Sequence, residues 1–289
     1  MSDLTVLTGL SDIAADYDVL FCDVWGVIHN GRESFAPALA ALSQFRATRG
    51  PVVLVSNAPR PSRDVAPQLK SLKVPDDAWS AFVTSGDATR AELLKRRPGP
   101  VWAVGPARDA PLYDGLGLEF VEIPEEAAFV SCTGPFDDDL ETPEDFRARF
   151  KLCVERRLEM VCANPDRVVQ RGDKMIYCAG ALADLYAELG GAVVMAGKPY
   201  APIYAIAREA AERVKGSPVA DPRILCIGDG VATDVRGANE QGLDCLFIAA
   251  GIHARDAEDS RGRLDKPRAE ALLRRSGAQA RYALRELSW

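Results

Sequence analysis

The chain has 289 residues, 47% hydrophobic and 27% charged, enough to bury the core of one large domain or two of ordinary size. A net charge of −7 and a pI near 5.1 offer no basic stripe to nucleic acid, and the pairs Arg96-Arg97, Arg156-Arg157 and Arg274-Arg275 read as solvated faces. No apolar run approaches the ~20 residues that span a bilayer, Met1-Ser2-Asp3-Leu4 lacks a basic leader, and seven cysteines without a CxxC pair suit a reducing cytoplasm, so neither nucleic acid nor membrane is an expected partner.

Residues 18–28 read as a buried strand running into a loop, and 36–49 as a helix with Leu39, Leu42 and Phe45 on one face, stopped by Gly50-Pro51. A strand at 52–56, a helix around 62–72, a strand at 81–84 and a helix from Asp87 to Arg97 follow. Strands alternating with helices at this spacing predict βαβ units and a parallel sheet. From about 98 to 192 the pieces shorten, with strands at 101–104, 128–131 and 160–163 and helices near 143–157 and 179–189. Pro98-Gly99-Pro100 and Gly190-Gly191 mark junctions. Strands near 193–197, 223–228 and 244–249 are expected to return to the first sheet. The prediction is a doubly wound, Rossmann-like α/β domain formed by residues 1–84 and 191–289, with an inserted α/β domain at 85–190 and substrate between the two.

Four apolar runs end on polar residues of different kinds: 19–22 on Asp23, 52–55 on Ser56-Asn57, 193–197 on Lys198, and 224–228 on Asp229. Ligands of open α/β sheets bind outside the carboxyl ends of the strands, so these ends would gather two acids, a hydroxyl/amide pair and an ammonium. That set suits a phosphate beside a divalent cation. The segment Gly228-Asp229-Gly230-Val231-Ala232-Thr233-Asp234 is the most specific. Asp229 can reach a metal while Asp234, one turn into a helix, orients it or its waters. Taken alone, Asp229-Gly230 is an ordinary turn and Thr233-Asp234 an ordinary helix start.

In order and spacing the chain resembles the haloacid dehalogenase (HAD) superfamily of aspartyl-nucleophile hydrolases, in particular its NagD-like branch with a large inserted α/β cap. Asp23-Val24-Trp25-Gly26-Val27, Ser56-Asn57-Ala58, Gly197-Lys198-Pro199 and Gly228-Asp229 through Asp234 fall on its four motifs, and Asn164-Pro165-Asp166 and Ala179-Gly180-Ala181-Leu182 are similar to cap segments. The resemblance implies a Mg²⁺-dependent phosphatase of a small phosphorylated metabolite. Asp23 is the implied nucleophile, forming an aspartyl-phosphate, and Lys198 the charge that steadies it. Ser56, Asn57, Ala58 and Lys198 would bind phosphate, and Asp23, the Trp25 carbonyl, Asp229 and Asp234 the metal. Caps of this branch can mediate homo-oligomers.

One position departs from the family. HAD phosphatases carry a second aspartate two residues after the nucleophile as general acid and base, and this chain has Trp25. An indole exchanges no proton at neutral pH, and lost general acid/base help costs ~10²–10⁴-fold in rate. Three readings compete: a phosphatase in which another group or an undemanding leaving group covers the loss, a phospholigand-binding protein with little turnover, and a dehalogenase. The last is disfavoured because dehalogenases dispense with the metal and lack the Gly-Asp motif. His29, six residues past Asp23, is a candidate proton carrier and equally a loop residue bonded to backbone. Among weaker features, Asp137-Asp138-Asp139 is a cation site or a solvated turn, Arg167 and Arg171 could meet an anionic tail, His253 has no assigned role, and Trp102, Phe120 and Phe129 read as core of the inserted domain.

Overall fold

The computed structural model describes residues 4–171 and 174–289, without the side chains at 169–171 and 174–175. Its strands are Thr5–Val6 (β1), Val19–Cys22 (β2), Val52–Ser56 (β3), Ala81–Thr84 (β4), Val101–Val104 (β5), Phe120–Val121 (β6), Phe129–Cys132 (β7), Glu159–Cys162 (β8), Val168–Arg171 (β9), Lys174–Tyr177 (β10), Ala192–Met195 (β11), Ile224–Gly228 (β12), Asp244–Ile248 (β13) and Tyr282–Leu284 (β14). The α-helices are Ala36–Thr48 (α1), Ser62–Ser71 (α2), Ser85–Leu94 (α3), Arg147–Glu155 (α4), Ala179–Glu188 (α5), Ala201–Lys215 (α6), Arg236–Glu240 (α7), Ala254–Ala257 (α8) and Lys266–Arg275 (α9). None is long and apolar enough to cross a membrane.

The chain divides into two compact units, one of Met1–Ser56, Ala66–Val83 and Lys198–Trp289, the other of Asn57–Val65 and Thr84–Gly197. The first is built on a parallel sheet ordered β1-β14-β13-β12-β2-β3-β4. Its central strands carry apolar residues on both faces because helices cover both. Leu20, Leu54, Leu225, Ile227 and Leu246 are fully or almost fully buried and share a core with Leu39, Leu42 and Phe45 of α1. Pro37 opens that helix in its first turn, where a missing N–H costs nothing. It ends just before Gly50-Pro51, as the sequence predicts.

The second unit has its own parallel sheet, ordered β11-β8-β7-β5-β6, and an antiparallel hairpin of β9 and β10. Trp102, Phe146, Phe150, Met160 and Tyr186 fill one side of that sheet. Here lies the main correction. The strand expected near 193–197 to resume the first sheet is β11, which pairs with β8 in the second. An apolar run reports burial, not sheet membership, and this one is a half-buried edge strand. The chain therefore returns to the first unit at Lys198 instead of near 191. Phe120, expected in the core, is 54% exposed on edge strand β6, whereas Trp102 and Phe129 are buried as expected.

Candidate active site

Strand β2 runs between β12 and β3, and Asp23 is the first residue beyond its carboxyl end. The Asp23 N–H donates to the Ile227 carbonyl at 2.8 Å, continuing the ladder and fixing its backbone beside β12. β12 ends at Gly228, so Asp229 leaves the adjacent strand end. A π-type turn at Val231–Val235 then brings Asp234 back. Carboxylate oxygens of Asp23, Asp229 and Asp234 lie within 4.8 Å of one another, and all three residues are buried.

Lys198, only 4% exposed, arrives from the other direction. Its Nζ donates to Asp23 Oδ1 at 2.5 Å, Asp234 Oδ1 at 2.7 Å and the Val55 carbonyl at 2.9 Å. The second oxygen of Asp234 accepts from the Gly230 N–H at 3.1 Å and the Thr233 hydroxyl at 3.3 Å. Both of its oxygens are thus engaged by the protein, which suits an orienting acid. Asp229 Oδ2 accepts from the Ile252 N–H at 2.8 Å. Gly26 has φ +83, and a Cβ there would come 2.3 Å from Asp229 Oδ2, so only glycine both makes this turn and clears the carboxylate.

Three acids around one ammonium repel one another. Burial, reinforced by Asp234, pushes the Asp23 carboxyl well above the usual range despite Lys198. Burial and the Asp234 charge push Asp229 up to about 6. For Lys198 burial opposes the charge, but Asp23 and Asp234 outweigh it and hold the ammonium above its ordinary range.

Trp25 is 56% exposed, and its ring meets His29 edge to face with centroids 5.4 Å apart. His29 is buried, and its Nδ1 accepts the Gly31 N–H at 3.1 Å. Burial lowers its pKa. Nδ1 thus serves the loop backbone, as in the second of the two readings, and burial favours the neutral ring.

Ser56 closes β3, next to β2. Asn57 and Ala58 follow it and belong to the second unit, where the Asn57 amide donates to Asp166 at 3.4 Å and the Ala58 carbonyl accepts from Gly86 at 3.0 Å. Asn164 Oδ1 accepts the Asp166 N–H at 2.9 Å, and the Asp166 carbonyl accepts from Gly180, so the two cap-like segments of the sequence pack on each other. Arg167 pairs with Asp184 on α5, and the Arg171 side chain lies outside the described residues. Asp138 pairs with Arg108, and Asp137 Oδ1 accepts the Asp139 N–H, the pattern of a polar turn. His253 lies 4.0 Å from Asp256. Sequence reasoning missed the backbone contributors Val55 and Ile252, whose groups carry no side-chain signature; Ala250-Gly251 after β13 is the nearest visible hint.

Comparison with known proteins identifies the family of the chain. Residues 20–119 match a family model described as haloacid dehalogenase-like hydrolase, and residues 195–273 one described as HAD-hydrolase-like. A crystal structure of a haloacid dehalogenase-like hydrolase from Brucella suis 1330 is 45% identical, covers 98% of this chain and 100% of its own, and superposes with a TM-score of 0.82. The 5′-nucleotidase YutF of Bacillus subtilis (strain 168) is 25% identical over 242 residues, 83% of this chain and 90% of its own. D-glycerol 3-phosphate phosphatase of Mycobacterium tuberculosis is 28% identical over 250 residues, 85% of this chain and 66% of its own. The Asp23 centre thus sits on a parallel α/β fold shared over nearly the full length with a HAD-like hydrolase, and this chain is a hydrolase of the haloacid dehalogenase-like family.

Proposed function

We propose that the chain is a Mg²⁺-dependent phosphatase of the NagD-like branch, acting in a reducing cytoplasm on a small phosphorylated metabolite, with residues 85–190 as the bulk of its cap. The observation that carries this reading is the charge of the Asp23 centre. Three buried carboxylates share one buried ammonium, and an uncompensated buried charge is costly. The excess is two negative charges when all three are ionised, which a divalent cation would balance in place of protons. The donors are hard oxygens, fitting Mg²⁺ better than softer metals. In support, the similar glycerol phosphate phosphatase from M. tuberculosis, 27% identical with a TM-score of 0.66, was crystallised in complex with magnesium.

In this reading Asp23, Asp229 and the Trp25 carbonyl hold the metal, with Asp234 orienting Lys198 and the metal's waters. When bound, the ion offsets the repulsion between a carboxylate and a phosphate. The Asp23 carboxylate attacks phosphorus, the bond to the leaving oxygen breaks, and water hydrolyses the aspartyl-phosphate, returning the carboxylate and releasing phosphate. Lys198 keeps a positive charge on the attacking oxygen throughout. Ser56 and the N–H groups of Asn57 and Ala58 hold the other phosphate oxygens.

Trp25 decides which phosphate. With an indole at the position of the usual proton donor and His29 neutral and backbone-bonded, the favoured substrates have leaving groups that depart unprotonated, such as acyl or aryl phosphates. The test is hydrolysis of p-nitrophenyl, acyl and alkyl phosphates with Mg²⁺ by wild type, Asp23→Asn and Trp25→Asp. Wild type should cleave the first two classes, Asp23→Asn neither, and Trp25→Asp should gain about 10²-fold or more on alkyl esters. An inert wild type beside an active Trp25→Asp would establish the second reading, a phospholigand-binding protein silenced at Trp25. Inertness of both would overturn the phosphatase.

A further inference from the structure

The sheet of the second unit, read from its other edge, runs β6-β5-β7-β8-β11, so strand order reverses between β5 and β7. In open parallel sheets, ligands settle outside the carboxyl ends of the strands at such a reversal. A cavity of about 530 Å³ opens at that end and extends along β5 to the start of β6, within the range of small-molecule sites. It is lined by Gly105 and Pro106 after β5, Thr133 after β7, Asp109 and Tyr113 of the turn following β5, and Phe120 of β6.

The lining combines two chemistries. Asp109 and Thr133 are each 6% exposed, and the Thr133 hydroxyl acts on the Asp109 carboxyl. A Cβ on Gly105 would fall 1.8 Å from Thr133 Oγ1, so the glycine lets the ends of β5 and β7 close around that hydroxyl. Arg108 and Arg60 attract the Asp109 charge and Asp138 repels it, with Arg108 itself paired to Asp138. The apolar part is the Phe120 ring, which meets Tyr113 edge to face at 5.3 Å. The Tyr113 hydroxyl is 3.0 Å from that of Ser131, which fixes the ring behind Phe120. An aromatic ring left half-exposed at one end of a cavity, with a buried acceptor pair at the other, asks for an elongated ligand with a flat face and hydroxyl donors.

We propose that this cavity binds a nucleoside, its base against Phe120 and its sugar hydroxyls donating to Asp109 and Thr133. None of these residues belongs to the Asp23 centre, so the inference goes beyond the phosphatase reading and does not depend on it. The test is calorimetric titration of the intact chain with adenosine, adenine and ribose. Adenosine should bind one to one and at least tenfold more tightly than adenine or ribose. Asp109→Asn and Phe120→Ala should each weaken it at least tenfold, and Asp23→Asn should leave it unchanged. No adenosine binding up to millimolar concentration, or equal affinity in wild type, Asp109→Asn and Phe120→Ala, would overturn the proposal. Phe120 is exposed and its replacement spares the core, so that variant decides the matter even where Asp109→Asn fails to fold. Turnover lost in Asp23→Asn with adenosine binding kept separates the two readings.

Discussion

Lys198 holds together a pocket that its neighbours' charges would open. Replacing it with methionine leaves three buried acids without a counter-charge, and the expected cost is about 3–5 kcal/mol at pH 8. The loss should shrink toward pH 5 as Asp23 and Asp229, both raised by burial, protonate, which urea denaturation at the two pH values would check. Asp229 has the complementary signature. Its folded pKa of about 6 lies above the unfolded value, so the metal-free folded state binds the extra proton. Stability from this group is full below about pH 4 and falls as pH rises through 6, by up to about 3 kcal/mol. Thermal melts should therefore show Asp229→Asn gaining on metal-free wild type across that window, and Mg²⁺ erasing the difference by stabilising wild type. Of these residues the sequence exposes the charged side chains, because each ends an apolar run. It conceals the Val55 carbonyl and the Ile252 N–H, which any residue type could supply.

At the scale of elements, α3 starts two residues earlier than its apolar pattern suggests because Thr84 caps it. The Thr84 hydroxyl accepts from the Asp87 N–H at 3.1 Å, and the Asp87 carboxylate accepts from the Thr84 N–H at 3.0 Å. Thr84→Ala should cost about 1 kcal/mol in chemical denaturation, and more if the Arg60 carbonyl it also serves stays dry. Asp18, at the entry to β2, accepts from Lys215 at the end of α6 and from Arg223 before β12. These partners hold its carboxyl down at about 2. Its contribution is present above about pH 4 and disappears as pH falls through 2, so Asp18→Asn should cost about 1 kcal/mol at pH 7 and nothing in strong acid. In the first sheet β2, β3, β4, β12 and β13 are legible from their apolar runs, whereas β1 and β14, only two and three residues long, leave no such run. Helix α6 has no long apolar run to mark it, although Ile203, Tyr204, Ala207 and Ala211 recur along one face and Gly216 stops it at φ +77. β11 was legible as a strand but not as a member of the second sheet, since pairing partners leave no mark on a half-buried apolar run.

Across the whole molecule, all seven cysteines are free and buried. Burial pushes Cys153 up to about 11 and Cys162 up to about 12, so these thiols stay protonated near neutrality. A thiol reagent should label none of the seven in native buffer and all of them in denaturant. Fast native labelling of any one would mean that its surroundings open locally. The two-unit organisation was legible from the change in strand and helix spacing near residue 98 and the return of long apolar strands after 223. The return point was not, because Gly190-Gly191 only turns the chain between α5 and β11.

Asp23 and the lysine that neutralises it are 175 positions apart, and every residue of the second unit is synthesised between them. A ribosome that has just added Gly197 has delivered both pieces of that unit, yet its product still has an aspartate without its ammonium and lacks β12, β13 and β14. The nascent chain therefore has every residue of its second unit before the Asp23 cluster has its ammonium, and a charge-balanced cluster is among the last features that translation supplies.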